Sequence, residues 1–248
     1  MPHPSNYSAI DLFVRRLSTH SVLSSAECDA IRDLPRTSMD IRAHIDFLRA
    51  GEVATHASIV SEGLVGQFGQ TEDGKRQFVS IHVPGEMVNL PSVMTPRATT
   101  SLNALAVSTV EKIPHESLRA LTCSYPAIAS AFWRDCIIDS RIVAQWLVNV
   151  GRRDARSRIA HFLCEVGTRY RMLDQSDGQS FRLQMSQEQL GDALGLTSVH
   201  INRMLMTLRA DKLVAFDRNY VQILDPQALV RTGEFDPGYL SDAGAAVH

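Results

Sequence analysis

The most informative residue spacing in this 248-residue sequence lies between residues 186 and 210. Ser186 and Gln189 are spaced as a capping box, which starts a helix, and Gly195 falls where the chain leaving that helix needs a positive φ. Thr197 can cap a second helix. Two short helices joined through one glycine cross at a steep angle, so the outer face of the second is free to enter a DNA major groove about 12 Å wide. The side chains expected to be buried on the second helix are Ile201, Leu205 and Leu208.

Arginines are concentrated around this helix-turn-helix. Residues 151–231 carry 12 basic and 9 acidic side chains, whereas residues 1–150 carry 13 and 15. A guanidinium group can donate two hydrogen bonds to guanine or clamp a phosphate. The excess of positive charge is too small to indicate nucleic-acid binding alone, so the helix spacing carries the hypothesis. The arginines near the motif are Arg152, Arg153, Arg156, Arg158, Arg209 and Arg218.

The segments on either side of the two helices complete a winged domain over residues 151–231. Apolar side chains recur at helical spacing in residues 155–170, and SFRLQM at 180–185 alternates like a strand. Residues 213–224 form two alternating runs around an Asp-Arg-Asn turn, which predicts the hairpin of a wing. The last segment, residues 232–248, is expected to be a flexible tail.

The first half of the chain is predicted to hold a helical collar and a β-roll. Within residues 1–36 two short helical patterns occur, and Ser24 and Glu27 form a capping box for the second. Residues 37–125 contain short apolar or alternating runs separated by turn residues, which indicate antiparallel strands of a roll or sandwich and a short following helix. The runs are DFLRAGE, GLVGQFGQ, RQFVSIHVPGE and STVEKI, with TEDGK as a turn.

Residues 126–150 form the longest uninterrupted helical pattern. A helix of nearly seven turns is longer than one face of a small β-roll can cover, which favours a partner helix. We therefore predict a dimerisation helix, although a helix lying only on its own β domain would show a similar apolar pattern. Its a/d face consists of Ala129, Trp133, Cys136, Ser140, Val143, Leu147 and Val150, widened by Ile137, Ile138 and Ala144.

Composition and missing motifs exclude several classes of protein. The chain is 44% hydrophobic and 21% charged with a net charge of -2, as is typical of soluble globular proteins. No apolar run approaches the ~18 residues of a membrane span, and the N terminus lacks the order of a signal peptide. The motifs GxSxG, HExxH, GxxxxGK(S/T) and CxxC are absent. We expect a cytoplasmic protein with no membrane partner, no bound metal and no enzymatic activity.

The order of β-roll, long helix and winged helix-turn-helix resembles the CRP/FNR family of bacterial transcription regulators across about residues 10–230. The most specific part is SQEQLGDALGLTSVHINRMLMTLRADKLV, which is similar to the family's DNA-binding signature nearly residue for residue. The resemblance implies an α+β fold with an antiparallel β-roll of the cyclic-nucleotide-binding type, a dimerisation helix and a winged helix-turn-helix. It also implies double-stranded DNA, a second copy of the chain and RNA polymerase as partners.

In that family the second helix of the motif contacts bases. By resemblance, the base-contacting positions fall on Ser198, Val199, His200, Asn202 and Arg203, and Arg203 matches the family's most regular base-contacting arginine. Val199 departs from better-known members, which carry glutamate there to accept from cytosine, so their operator sequences are not expected here. The expected contacts to the DNA backbone are Arg153, Ser186, Gln187, Thr197, Arg209 and Arg218.

The sensory half departs from the cyclic-nucleotide-binding members. In the matching stretch, PGEMVNLPSVMTPRATTSLNALAV, the ribose-binding glutamate falls on Leu90 and the phosphate-binding arginine on Ala98, with Arg97 one residue away. Leucine cannot accept a hydrogen bond from ribose, and a one-residue slip on a strand turns a side chain to the other face. Cyclic AMP binding in the usual mode is therefore not expected. Arg97, Thr99 and Thr100 form a candidate effector pocket for another anion, unless Arg97 is simply exposed to solvent.

Some members that this chain resembles hold an iron–sulfur cluster through a tight N-terminal group of cysteines plus one further cysteine. The four cysteines here, Cys28, Cys123, Cys136 and Cys164, show no such clustering, and a cluster needs four thiolates. Cys136 and Cys164 are expected to be small buried hydrophobic residues. No cofactor is predicted.

The sequence therefore predicts a homodimeric regulator that binds a pseudo-palindromic operator without control by cyclic AMP or an iron–sulfur cluster. Two alternatives stay open. One is a sensory module that acts through protein contacts, with its C-terminal domain as a docking platform. The other is a regulator gated by an unidentified ligand in the β-roll.

Overall fold

The structure, a computed structural model, describes residues 7–173 and 175–241. The chain begins with two helices that pack against the first sheet. The predicted capping box of the second helix is confirmed, because Ser24 and Glu27 each accept a hydrogen bond from the other's backbone N–H. The helices are α1 (Ala9–Ser18) and α2 (Ser25–Arg32).

Two four-stranded antiparallel sheets form the β-roll. The strand orders are β1-β8-β3-β6 and β2-β7-β4-β5, and alternating apolar side chains such as Val60, Val65 and Val110 fill the space between the sheets. The prediction of an antiparallel β-roll is confirmed, although the strand HASIVSE was not singled out from the sequence. The strands are β1 (Thr37–Ile41), β2 (Asp46–Leu48), β3 (His56–Glu62), β4 (Val65–Gln70), β5 (Arg76–His82), β6 (Met87–Val88), β7 (Ser101–Ala104) and β8 (Ser108–Pro114).

A short helix, α3 (His115–Ser124), leads into the 27-residue helix α4 (Pro126–Arg152). The break between them falls at Tyr125, as Pro126 requires. One face of α4 packs on its own chain through Ile128, Phe132, Ile138, Ile142 and Trp146. Ile138 therefore belongs to this inner face and does not widen the a/d face, because its position is turned toward the β-roll and α5.

The C-terminal domain is a winged helix-turn-helix. Its three-stranded sheet has the order β10-β11-β9, and the hairpin turn lies between Asp217 and Tyr220 as expected. No helix in the described ranges is long and apolar enough to cross a membrane. The elements are α5 (Ala155–Met172), β9 (Ser180–Arg182), α6 (Gln187–Leu194), α7 (Ser198–Ala210), β10 (Val214–Asp217), β11 (Tyr220–Ile223) and α8 (Pro226–Gly233).

The winged domain is docked on the β-roll of the same chain. The Gln189 side chain in α6 donates to the Leu105 carbonyl at 3.0 Å, and the Gln77 side chain in β5 donates to the Ala193 carbonyl at 3.1 Å. These two side-chain hydrogen bonds hold α6 against the β-roll. The position of the helix-turn-helix therefore depends on the β-roll as well as on the winged domain.

The expectation of a flexible tail from residue 232 is wrong for residues 232–241. After α8 the chain turns through Glu234 and a short 3₁₀ turn, and Phe235 and Leu240 are buried against the rest of the molecule. The buried apolar side chains hold this segment in place, and so does the hydrogen bond that the Tyr239 hydroxyl donates to Glu165. Residues 242–248 lie outside the described part.

Candidate nucleic-acid interface

The local signals of the helix-turn-helix are satisfied as the sequence predicted. Ser186 and Gln189 form the capping box of α6, with the Gln189 N–H donating to the Ser186 hydroxyl at 3.1 Å. Gly195 ends α6 with φ 64°, and Thr197 caps α7 by accepting from the His200 N–H at 3.3 Å. Ile201, Leu205 and Leu208 are all buried, which fixes the roll of α7 about its axis and decides which side chains face outward.

The five predicted base-contacting residues lie together on the exposed side of α7. Val199 is 77% exposed, and Asn202 donates to the Gln187 side chain of α6 at 3.3 Å. Met206, 62% exposed, continues this surface by one helical turn. Sequence reasoning missed it because an apolar side chain on α7 was expected to be buried. The surface consists of Ser198, Val199, His200, Asn202 and Arg203, together with Met206, Thr207 and Gln187.

The wing contacts the C-terminal end of α7. Its two-residue loop places Arg218 in the left-handed region with φ 51°, and the side chain is exposed. Arg209, near the end of α7, lies 4.7 Å above the Phe216 ring of the wing. Cation–π stacking holds this guanidinium between α7 and the wing while leaving it exposed to an incoming phosphate.

The predicted backbone contacts divide into exposed and covered residues. Ser186, Gln187 and Thr197 are exposed at the starts of α6 and α7. Arg153 is covered: its side chain is only 10% exposed and it contacts Glu234, with a donated bond to that carbonyl at 3.4 Å. The structure thus contradicts the expected backbone contact of Arg153, because its side chain is largely buried beside Glu234, 81 positions later in the chain.

Two other arginines near the motif also have partners within the protein. Arg156 is paired with Asp211 at 2.6 Å. Arg158 donates to the carbonyls of Arg153 and Leu194, at the ends of α4 and α6. These arginines join the helices of the domain to each other.

The a/d face of α4 is the exposed side of that helix. Trp133, Val143 and Leu147 are 69%, 40% and 75% exposed, although all three are large apolar side chains. Ala129, Cys136 and Val150 are partly buried and Ser140 is exposed. A long helix that buries one apolar face and exposes a second is typical of a protein–protein interface.

The β-roll and α4 enclose a cavity of about 470 Å³. Arg97, Thr99 and Thr100 all lie on its wall, and Arg97 also donates to the Gly51 carbonyl at 2.7 Å. Leu90 is buried in the apolar core beside α1 and is not part of the wall, whereas Ala98 is. The position of the expected ribose-binding carboxylate is therefore an apolar core position.

Side chains from α4 and α5 complete the cavity with two groups that sequence reasoning missed. Asp139 and Arg169 line its inner side, and both belong to a buried ion cluster that also contains Arg16, Glu86 and Asp135. They were missed because their neighbours come from four separate segments of the chain. Nothing in the local pattern of α4 or α5 indicates the pairing.

The ion cluster joins α1, the β-roll, α4 and α5. Arg16 contacts Asp135 and Asp139, each at 2.6 Å, and Glu86 at 2.8 Å. Arg169 is paired with the other oxygen of Glu86. Burial opposes ionisation of Glu86, but Arg169 and Arg16 lower its pKa to about 2.

Asp139 behaves differently from the other members of the cluster. Burial raises the pKa of Asp139 to about 7, against the attraction of the Arg16 guanidinium. The carboxylates of Asp135 and Glu86 add to this effect. Burial also lowers the pKa of His82, on the same cavity wall, to about 4. Asp139 is thus the carboxyl of the cavity wall whose charge changes near neutral pH.

The four cysteines differ in how far they are buried. Cys164 is buried, Cys28 and Cys136 are half-buried, and Cys123 is exposed. Burial raises the pKa of both Cys136 and Cys164 to about 12, so these thiols stay protonated. Within residues 7–173 and 175–241, no three His, Cys, Asp or Glu side chains lie together as metal ligands do.

Comparisons with known proteins agree with this architecture. A family model for the Crp-like helix-turn-helix domain matches residues 157–232, and one for the cyclic nucleotide-binding domain matches residues 41–125. The chain belongs to the CRP/FNR family. Its α+β fold, with an antiparallel β-roll, a long helix and a winged helix-turn-helix, is the fold that the sequence predicted.

Relatives of this CRP/FNR protein are transcription regulators. The transcriptional activator protein Anr of Pseudomonas protegens is 28% identical over 204 residues, 82% of this chain and 83% of Anr. The fumarate and nitrate reduction regulatory protein of Vibrio cholerae is 23% identical over 220 residues, 89% of this chain and 88% of that protein. The structure of FixK2 from Bradyrhizobium japonicum has a TM-score of 0.73 at 24% identity, covering 80% of this chain and 98% of FixK2. The chain is a DNA-binding transcription regulator of this type.

Proposed function

We propose that this CRP/FNR protein reads its operator through the exposed face of α7, with Arg203 as the principal base-contacting side chain. The observation that carries the proposal is the position of Arg203 among Ser198, Val199 and Asn202 on one unobstructed surface. A guanidinium there can donate two bonds to guanine O6 and N7. Ser186, Gln187, Thr197, Arg209 and Arg218 surround this face and contact the sugar–phosphate backbone.

The functional unit in this proposal is a homodimer formed along the a/d face of α4. Exposure of the apolar side chains of Trp133 and Leu147 to water is unfavourable. In the proposed dimer, α4 of a second copy covers both side chains. The two α7 helices of such a dimer contact half-sites ~34 Å apart on one side of the duplex. The operator is therefore pseudo-palindromic.

The proposal excludes cyclic AMP in the usual mode as the effector. Leu90 is held in the apolar core, and Ala98 presents no cation to the cavity wall. An iron–sulfur cluster is also left out of the proposal, since the four cysteines are spread over the chain and no group of three metal-ligating side chains lies together within residues 7–173 and 175–241. A different ligand, recognised by Arg97, Thr99 and Thr100, is the alternative means of control.

The remaining roles follow from that of a DNA-binding regulator. We propose that the protein acts on promoters through RNA polymerase and catalyses no reaction of its own. Because its target is bacterial DNA, its place of action is the cytoplasm. Contact with RNA polymerase is tested by transcription in vitro with purified polymerase and an operator-bearing template.

A selection of random duplexes with the purified protein tests the proposed function. We expect recovered sequences to contain two inverted half-sites about one helical turn apart, centre to centre, and binding to weaken steeply with salt. Recovery of no common sequence, or binding that is independent of salt, contradicts the proposal and favours the C-terminal domain as a protein-docking platform.

A further inference from the structure

The segment that follows α8 crosses the junction between α4 and the winged domain. We call residues 234–241 the C-terminal strap. At the junction, the Arg153 backbone is extended and Asp154 caps α5, so α4 and α5 are joined by a two-residue link, in which the Arg153 N–H still donates to the Asn149 carbonyl at 3.4 Å. The first residue of the strap, Glu234, accepts from Arg153 through its carbonyl, and its carboxylate lies 3.8 Å from the same guanidinium.

The middle of the strap is bound to a buried carboxylate. Tyr239 donates its hydroxyl to Glu165 of α5 at 2.7 Å, and its ring stacks on His161 with the planes 6° apart. The Glu165 carboxylate, fully buried, also accepts from the Trp146 indole N–H of α4 at 3.0 Å. Burial raises the pKa of Glu165, and the three donors Trp146, Tyr239 and Arg169 act against this rise. One carboxylate therefore joins α4, α5 and the strap.

The end of the strap reaches the N-terminal half of the molecule. Leu240 is 3% exposed and lines a small cavity together with Arg16 of α1 and Ile138 and Ile142 of α4. Through Arg169, which contacts both Glu165 and Glu86, the strap is also joined to the ion cluster at the effector cavity. The strap thus contacts α4, α5 and the link between them, and it lines a small cavity with Arg16 of α1.

We propose that the C-terminal strap fixes the angle between α4 and the winged domain, and so holds the two α7 helices of the dimer at the spacing of two half-sites. Direct contacts between α4 and α5 already restrict that angle. Trp146 donates to Glu165. The Asn149 side chain donates to the Arg158 carbonyl at 3.2 Å.

To these contacts the strap adds the bond from Tyr239 to the Glu165 carboxylate. It also adds the bond from Arg153 to the Glu234 carbonyl. A domain that must be ordered during binding loses affinity. This inference rests on the proposed homodimeric DNA binding. It assigns a positioning role to Tyr239 and Leu240. Neither residue belongs to the proposed DNA-binding face.

Two variants and one control test the strap. Tyr239→Phe removes only the hydroxyl, and a chain that ends at Glu234 removes most of the strap. Tyr7→Phe, on a half-exposed ring at the other end of the chain, is the matched control. Affinity is measured for a duplex with both selected half-sites and for a duplex in which one half-site is scrambled. Hydrogen exchange at the amides of residues 153–158 is measured in parallel.

For Tyr239→Phe we expect an about tenfold loss of affinity for the two-half-site duplex, the size of a lost hydrogen bond to a charged group. The shortened chain loses at least as much. Affinity for the single half-site changes less than twofold, exchange at residues 153–158 becomes faster, and Tyr7→Phe matches wild type.

Equal losses on both duplexes indicate general destabilisation and overturn the proposal, as does unchanged or increased affinity for the two-half-site duplex. If wild type binds both duplexes equally, the proposed dimeric recognition is what fails. The exchange rates then decide whether the strap holds the junction, because unchanged exchange in Tyr239→Phe rejects the strap independently of DNA.

Discussion

Arg203 and Val199 lie one turn apart on the exposed face of α7, and they offer different chemistry to a base pair. Arg203 donates hydrogen bonds, which suit the O6 and N7 acceptors of guanine. Val199 offers only methyl groups, which suit the methyl of thymine and accept nothing from cytosine. The half-site is therefore expected to differ from that of relatives with glutamate at this position.

Replacing Arg203 by alanine is expected to remove discrimination at one base pair. The loss is ~1–3 kcal/mol at that position, because the two donors to guanine disappear while the backbone contacts stay. Competition binding against every single-base variant of the selected operator measures it. Gln187→Ala is the control, and it is expected to weaken all variants alike. An Arg203→Ala protein that keeps the wild-type preference at every position contradicts the base-contacting role.

Asp139 makes the stability of the folded protein depend on pH. Its pKa is about 7 in the folded protein against 3.8 for a free aspartate, so the folded state keeps a proton that the unfolded state has released. The contribution of Asp139 to stability therefore falls as pH rises from about 4 to about 7. Glu86, with a pKa of about 2, acts in the opposite direction below pH 4.5.

Asp139→Asn is expected to remove this slope. The free energy of unfolding of the variant relative to wild type rises by roughly 2 kcal/mol between pH 4.5 and 7.5, less than the full shift because the side chain is 29% exposed at the cavity. Urea unfolding at several pH values measures it. Ser140→Ala, the neighbouring cavity residue without a titratable group, keeps the wild-type slope. A variant with an unchanged slope shows that Asp139 titrates normally.

Among the helices, α4 has two apolar faces with separate tasks. The inner face packs on the β-roll and α5, and the a/d face leaves Trp133, Val143 and Leu147 exposed. Heptad spacing found the a/d face, but it could not separate Ile138 from Ile137. Adjacent residues on a helix differ in direction by only about 100°, and both faces are apolar.

Leu147→Glu is expected to convert the dimer into a monomer at micromolar concentration, since two carboxylates would face each other across the a/d face. Sedimentation velocity measures the mass. Val107→Glu, an equally exposed apolar residue on the β-roll, serves as the control and stays dimeric. A wild-type protein that sediments as a monomer, or a Leu147→Glu protein with unchanged mass, refutes the dimer along α4.

Features that depend on residues close together in sequence were predicted better than contacts between residues far apart in sequence. The caps at Ser186 and Thr197, the turn at Gly195 and the wing hairpin depend on residues within a few positions of each other, and all are confirmed. Arg153 was misassigned because its partner, Glu234, is 81 residues away. The contact of Tyr239 with Glu165 was missed for the same reason, since these residues are 74 positions apart.

The whole molecule combines a sensory cavity with a DNA-binding domain, yet the residues that would let cyclic AMP couple the two are replaced. A ligand can shift an equilibrium only through different affinities for its two states. With Leu90 in the core and no cation at Ala98, the two contacts expected to hold the ribose and the phosphate of cyclic AMP are both missing. Control by another ligand at Arg97 or by protein abundance fits the structure.

We expect the purified protein without added ligand to protect its operator in footprinting at physiological salt, and calorimetry to detect no stoichiometric cyclic AMP binding at micromolar concentration. Protection that requires a dialysable factor from a cell extract contradicts the first expectation and favours the ligand-gated alternative. Heat release that saturates at one cyclic AMP per chain contradicts the second.

The burial of the cysteines has a practical consequence for spectroscopy. The thiolate is the form of cysteine that attacks thiol reagents, so Cys136 and Cys164, with pKa values near 12, react slowly in the folded protein. Cys123 is the exposed thiol, three residues before α4 begins. A maleimide spin label added briefly to the unaltered chain therefore goes first to Cys123, ahead of the half-buried Cys28. The two labels of a dimer then give a distance that reports on α4 pairing during DNA binding, without an engineered cysteine.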